Sequence, residues 1–88
     1  MGSIVYGVFY TYILWSETKR RFYIGWSSDL RKRLAAHNNG GNTATKYGRP
    51  WVLKYYEAYQ SESLAREREL VFKKRGKVWQ ALRQQISR

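Results

Sequence analysis

Two aromatic stretches near the N-terminus constrain the fold more than anything else in the chain. Tyr6 to Trp15 (YGVFYTYILW) and Phe22 to Trp26 (FYIGW) are separated by the polar connector Ser16-Glu17-Thr18-Lys19-Arg20-Arg21. Aromatic and β-branched side chains favour the pleated backbone, where their bulk packs against cross-strand neighbours. The first stretch predicts a strand buried on both faces or nearly so, and the second a shorter partner. Together they read as an antiparallel hairpin. Gly25, near the end of the second stretch, marks a bend or a close backbone approach.

The remainder follows from capping and periodicity. Ser27, Ser28 and Asp29 supply N-cap chemistry for a helix from Asp29 to Asn38, with Leu30 and Leu34 one turn apart as its apolar stripe. Asn39-Gly40-Gly41-Asn42 ends that helix, and residues 42–50 read as a polar loop. Pro50-Trp51 opens a third strand running to Tyr59, with alternation clearest at Val52, Lys54, Tyr56 and Ala58. Ser61 caps a helix from Glu62 to Lys74, with Leu64, Leu70 or Val71, and Phe72 expected inward. Gly76 interrupts, and Val78, Trp79, Leu82 and Ile86 define a last helix. The order is β-β-α-β-α-α, an α+β fold with a three-stranded antiparallel sheet flanked by helices. Without repeats, a linker or a low-complexity tract, residues 1–88 read as a single domain.

Charge narrows the function. Seventeen Lys and Arg against six Asp and Glu leave +11, with a pI near 10.3. A small domain this basic is built to meet a polyanion. An anionic membrane is the competing partner, but it calls for a basic amphipathic helix with bulky apolar residues opposite. Here the aromatics are spread through the chain, as in a packed fold. There is no cysteine, which excludes disulfides and thiolate metal sites and fits the reducing cytoplasm. No apolar run approaches the roughly 20 residues of a membrane span, and no secretory signal pattern is present.

Five side chains carry candidate chemistry. Arg33 and His37 lie four apart on the first helix, beside the leucine stripe at the border of core and solvent. Glu67 lies three residues after Leu64 at the edge of the second helix's stripe, and Tyr12 and Tyr23 lie on adjacent strands. A fixed cation, a carboxylate for a hard metal ion, phenols and an imidazole are the parts that phosphodiester hydrolysis asks for. Each also has a structural reading. The tyrosines suit an aromatic core, Arg33 a solvated charge run, His37 the helix dipole and Glu67 a surface ion pair with Arg66 or Arg68.

The ordered set Tyr23-Ile24-Gly25, Ser27-Ser28-Asp29-Leu30-Arg31-Lys32-Arg33-Leu34 and His37-Asn38 resembles the core signature of the GIY-YIG nuclease superfamily. Tyr10-Thr11-Tyr12 stands in the place of the first triplet and keeps only its final tyrosine. Thr45-Lys46, Pro50-Trp51, Tyr55-Tyr56-Glu57 and Ala65-Arg66-Glu67 with Leu70 resemble the small stand-alone bacterial members, so the likeness runs from Val8 to Lys74. Trp26 stands where some members carry a lysine. The resemblance implies a Mg²⁺- or Mn²⁺-dependent DNA endonuclease that is structure-selective or weakly sequence-specific, acting in DNA repair or processing with no small-molecule cofactor. It implies Glu67 as the one protein ligand of the metal and Tyr23 as the group that takes the water's proton. It further implies Arg33 as transition-state stabiliser, His37 as proton relay or phosphate ligand, and Tyr12 as the group orienting water or phosphate. Lys32, Lys46, Arg49, Lys73, Lys74, Arg75 and Lys77 are the candidate contacts to double-stranded or branched DNA. The alternative is a nucleic-acid-binding module on the same fold with little or no catalysis.

Overall fold

The computed structural model describes residues 7–87. Three strands, β1 (Phe9–Ser16), β2 (Arg21–Ser27) and β3 (Trp51–Tyr59), form one antiparallel sheet in the order β2-β1-β3. The helices are α1 (Leu30–Asn38), α2 (Glu62–Lys73) and α3 (Lys77–Ile86), so the α+β order β-β-α-β-α-α holds. The expected first strand reached back to Tyr6, which lies outside the described residues; Gly7 and Val8 are not in the strand.

β1 is central and covered on both sides, as its composition requires. On one face Ile13 packs with Ile24, Phe72, Trp79 and Leu82, a core shared with α2 and α3. On the other, Tyr12 and Leu14 pack with Trp51, Leu30 and Leu34 against α1. β3 passes from one core to the other. Ile13 pairs with Tyr55 but Leu14 pairs with Leu53, so Lys54 is an extra residue in the ladder. Such a bulge reverses which face the following side chains address. Trp51 and Leu53 therefore join the α1 core while Tyr55 joins the α2–α3 core, although the alternation of covered and exposed residues along β3 never breaks.

Beyond the bulge, Glu57 ties β3 to α2. Arg68 donates to it through Nε at 2.8 Å and a terminal nitrogen at 3.2 Å, and the Tyr55 and Tyr59 phenols each donate at 2.5 Å. Burial opposes the Glu57 charge, but these donors together outweigh it and hold the carboxyl below the usual carboxylate range. Burial, followed by the Glu57 carboxylate, pushes the Tyr55 phenol up to about 12.

Helix ends follow sequence chemistry with one exception. Asp29 is the N-cap of α1, its carboxylate accepting from the Lys32 amide at 3.0 Å. Gly40, with φ 83°, supplies the left-handed residue past the helix end. Ser61 occupies the N-cap position of α2 but makes no side-chain cap bond; its hydroxyl meets that of Ser63. The polar loop 42–50 contains one 3₁₀ turn, Lys46–Gly48.

The inward face of α2 differs from expectation. Phe72 is fully buried as expected, but Leu64 is 48% exposed and Leu70 58%, and Ala65 is fully buried in their place. Positions 65, 68, 69 and 72 lie one above another at helical spacing, so the buried stripe is displaced by one residue, about 100° of rotation, from one set by the leucines. The cause is local. Ala65 lets the helix approach β1 closely enough for the Thr11 hydroxyl to donate to its carbonyl at 2.7 Å, and the larger Leu64 is left at the rim.

Candidate active site

The site grows from the β1–β2 pairing. Tyr12 lies opposite Gly25, and its ring passes over that glycine so closely that a Cβ there would sit 2.6 Å from the phenol oxygen. The glycine of the Tyr-Ile-Gly triplet is therefore a requirement of close approach. Tyr23, two residues earlier on the same face, holds its ring centroid 6.3 Å from that of Tyr12. The His37 ring reaches in from α1, 5.9 Å from Tyr12 and 4.8 Å from Tyr23, edge-on to both.

His37 is not at the border of core and solvent, as its spacing from Arg33 suggested; it is 0% exposed. Both nitrogens are engaged, Nε2 with the Tyr12 hydroxyl at 2.9 Å and Nδ1 with Thr45 Oγ1 at 2.7 Å. The Thr45 hydroxyl has its own acceptor in the Asn42 carbonyl at 3.4 Å. That direction assigns Nδ1–H as donor to Thr45 and leaves Nε2 to accept from Tyr12. Burial first, and then the Arg33 guanidinium, lower the His37 pKa and keep the ring neutral. Buried with both nitrogens occupied, His37 holds the Tyr12 hydroxyl on one side and Thr45 on the other.

Thr45 is the group that sequence reasoning missed. It is buried beneath the loop, and its carbonyl accepts from the Trp51 indole at 2.7 Å. Asn38 clamps the same region by accepting from the Trp51 amide at 2.6 Å and donating to the Trp51 carbonyl at 3.0 Å. The signal was there in part, since a threonine among polar loop residues carries no mark of burial until the histidine beneath it is located.

Charge converges on Tyr12. Burial raises its pKa most strongly, the neighbouring Tyr23 adds to the rise, and the adjacent Arg33 guanidinium opposes it. The net direction is upward, so Tyr12 stays a protonated phenol. Arg33 is exposed, and among the described residues no carboxylate pairs with it.

The carboxylate whose charge reaches Tyr12 is Glu69. Glu67 is exposed and lies about 200° around the helix from both Ala65 and Glu69, facing away from the sheet. A helix whose leucines pointed inward would turn position 67 toward the sheet, whereas one seated on Ala65 and Phe72 turns position 69 that way. The Glu69 side chain is 15% exposed and has Lys73 Nζ at 3.3 Å. No group of three or more His, Cys, Asp or Glu side chains gathers among the described residues. A single carboxylate beside phenols is still a suitable donor set for a hard cation that keeps most of its waters.

A family profile described as the GIY-YIG catalytic domain matches residues 8–81. The chain belongs to the GIY-YIG family. Membership implies a nuclease acting on nucleic acid. The chain is also similar to UPF0213 proteins of Streptococcus pyogenes, among them those of serotype M5 (strain Manfredo) and serotype M28 (strain MGAS6180). Each is 45% identical over 67 residues, covering 75% of this chain and 72% of the relative. No solved structure matches.

Around the GIY-YIG site the candidate backbone contacts divide into groups. Lys46 and Arg49 sit together on the 42–50 loop, where Lys46 lies over the Tyr47 ring at 5.4 Å and Arg49 Nε donates to the Lys46 carbonyl at 2.7 Å. Tyr23 opens onto a groove of about 340 Å³ lined with Lys19, Arg21, Ala44 and Tyr47. Lys19 and Arg21 were not among the expected contacts. Lys32 is exposed on α1, and Lys74 and Lys77 are exposed at the α2–α3 junction. Lys73 is engaged with Glu69, and Arg75 lies over Trp79 at 4.6 Å. No helix among the described residues is long and apolar enough to cross a membrane.

Proposed function

We propose that this protein is a divalent-metal-dependent DNA endonuclease, structure-selective or weakly sequence-specific, working in DNA repair or processing in the cytoplasm. The observation that carries the reading is the meeting of Tyr12 and Tyr23 over Gly25, with the charges of Arg33 and Glu69 both reaching the Tyr12 phenol.

In this reading Glu69, rather than Glu67, would hold Mg²⁺ or Mn²⁺. When bound, such an ion polarises a phosphate oxygen and makes a coordinated water more acidic. The residues of the chain divide the remaining work. Tyr12, buried and hydrogen-bonded to His37 Nε2, stays protonated and fixes the neighbouring Tyr23 ring against which the attacking water is placed. Tyr23, opening onto the cationic groove, would take that water's proton on its phenolate oxygen and be left as a neutral phenol. Arg33, with no carboxylate partner, turns its fork to the oxygens where charge builds in the transition state. Phosphate contacts from Lys19, Arg21, Lys46 and Arg49 would be sequence-independent and weakened by salt.

The test is nicking of branched and linear DNA with Mg²⁺ or Mn²⁺ by wild type, Glu67→Ala and Glu69→Ala. Wild type and Glu67→Ala are expected to cleave alike, and Glu69→Ala to lose at least about 100-fold, the scale of single electrostatic partners in catalysis. Full cleavage by Glu69→Ala defeats the assignment. Tight binding without cleavage by any of the three leaves a binding module on a nuclease fold.

A further inference from the structure

A second concave surface lies across the β2 edge from Tyr23. Trp15 and Phe22 face away from α1, with ring centroids 4.7 Å apart, and with α3 they wall a cavity of about 540 Å³ into which Arg20, Arg21, Arg75 and Arg83 also project. Two of the guanidiniums lie over indoles, Arg20 at 5.7 Å from the Trp15 ring and Arg75 at 4.6 Å from the Trp79 ring. Glu17 pairs with Arg20 at 2.7 Å and accepts from the Trp15 indole at 2.8 Å. Among the described residues Arg21, Arg75 and Arg83 have no acidic partner. Burial and the neighbouring Arg83 charge both lower the Arg75 pKa, as expected where like charges are gathered without compensation.

The backbone supplies an independent observation. Among the described residues, Arg20 (φ 54°) and Arg75 (φ 58°) are the non-glycine positions with positive φ. Arginine gains nothing locally from the left-handed region, which glycine occupies without strain. Both strained residues line this one cavity. Strain retained at a surface site points to a role that glycine could not fill.

We propose that this cavity binds a single-stranded segment of nucleic acid, with a base against the Trp15–Phe22 wall and its phosphates on the arginines. Aromatic faces beside unpaired guanidiniums are the recognition chemistry of single strands, whose bases are free to stack. A duplex hides those faces. The path to the candidate active site is continuous: Arg21 and Phe22 line both this cavity and the groove onto which Tyr23 opens, and among the described residues β2 is an edge strand. The proposal rests on the nuclease reading in naming the substrate as one with a single-stranded arm beside the scissile bond.

Binding of labelled dT12 in EDTA, where nothing is cleaved, tests it by fluorescence anisotropy. Wild type and Glu67→Ala, whose side chain is turned away from the sheet, are expected to bind alike. Arg20→Gly/Arg75→Gly, which relaxes both left-handed residues, is expected to bind at least about 10-fold more weakly. Its slope of log affinity against log salt should be shallower by about 0.7 for each phosphate that the variant no longer neutralises. Arg83→Ala, an exposed position, should shift affinity the same way and serves if the double variant unfolds. Unchanged affinity and slope in these variants overturn the proposal. So does competition by blunt duplex or polyglutamate as effective as that by unlabelled dT12, since charge alone would then account for binding. Because no metal is present, this outcome is independent of whether Glu69→Ala abolishes cleavage.

Discussion

Gly25→Ala adds one methyl group where the Tyr12 ring of β1 passes over β2. The new Cβ would lie 2.6 Å from the Tyr12 hydroxyl oxygen, 2.7 Å from Tyr12 Cζ and 3.1 Å from Tyr23 Cε1. Carbon contacts relax at about 3.5–4.0 Å, so the Tyr12 ring must retreat by roughly 1 Å. Its hydroxyl is 2.9 Å from His37 Nε2, and a retreat of that size carries the pair past the ~3.2 Å limit of a useful hydrogen bond. Overpacking costs about 1–3 kcal/mol, and a buried imidazole nitrogen left unpaired costs about 1–3 kcal/mol more. A loss of about 2–6 kcal/mol lowers the melting temperature of a domain this size by at least about 10 °C. The assay is a double-mutant cycle with Tyr12→Ala followed by thermal or urea unfolding. Without the Tyr12 ring the methyl group meets little, so the coupling should reach about 1–3 kcal/mol. Additive effects, or a single variant within about 0.5 kcal/mol of wild type, refute the close-approach argument.

Three further perturbations have defined outcomes. His37 has a folded pKa below its unfolded one, so the unfolded chain binds the extra proton and stability is lost as pH falls below the free imidazole value of about 6.5; urea midpoints at about pH 5 and pH 7 should differ in wild type and converge in His37→Gln. Thr45→Val keeps the shape but removes the acceptor of His37 Nδ1–H, with an expected cost of about 1–3 kcal/mol and a fall in kcat with little change in KM. Arg68→Ala leaves the half-buried Glu57 with its phenols alone, at a cost of about 1.5–3 kcal/mol, while cleavage by the folded fraction is unchanged; a parallel fall in kcat would show that the Glu57 cluster reaches the site.

Most of the architecture was legible because it follows from local chemistry. The aromatic stretches specified the hairpin, Asp29 and Gly40 bounded α1, and the Tyr-Ile-Gly triplet located the close approach. What escaped were quantities decided by tertiary packing. The face of α2 depends on Ala65 fitting against Thr11, and alanine carries so weak a hydrophobic signal that Leu64 and Leu70 dominate any pattern read from sequence. The same rotation turns position 69 rather than position 67 toward the sheet. The bulge at Lys54 was invisible for the opposite reason: alternation along β3 continues unbroken through it, and only the partner strand shows that the buried face has changed. His37 combined both difficulties. Its spacing from Arg33 places the two on a shared side, yet its depth depends on Thr45, eight residues away in a loop.

The two faces of the sheet bear different loads, and this decides which substitutions inform on mechanism. The α2–α3 side is filled by Ile13, Ile24, Phe72, Trp79 and Leu82, side chains that contribute burial and little chemistry. The α1 side contains Tyr12, His37 and Thr45, all essentially inaccessible and linked in one chain of hydrogen bonds. A buried polar chain is stable only while each member keeps its partner, and removing one exposes the next to the cost of an unpaired group. Changes at Tyr12, His37 or Thr45 therefore alter stability and chemistry together, and a lost activity there says little by itself. Arg33 and Glu69 differ: one is exposed, the other lies at the edge, and neither belongs to the chain of buried hydrogen bonds. Arg33→Ala should melt within a few degrees of wild type, because no carboxylate among the described residues pairs with it; the Glu69 side chain is 15% exposed, so Glu69→Gln, which keeps its shape, is the variant expected to stay as close. Activity lost in those two variants at unchanged stability can then be assigned to the reaction itself.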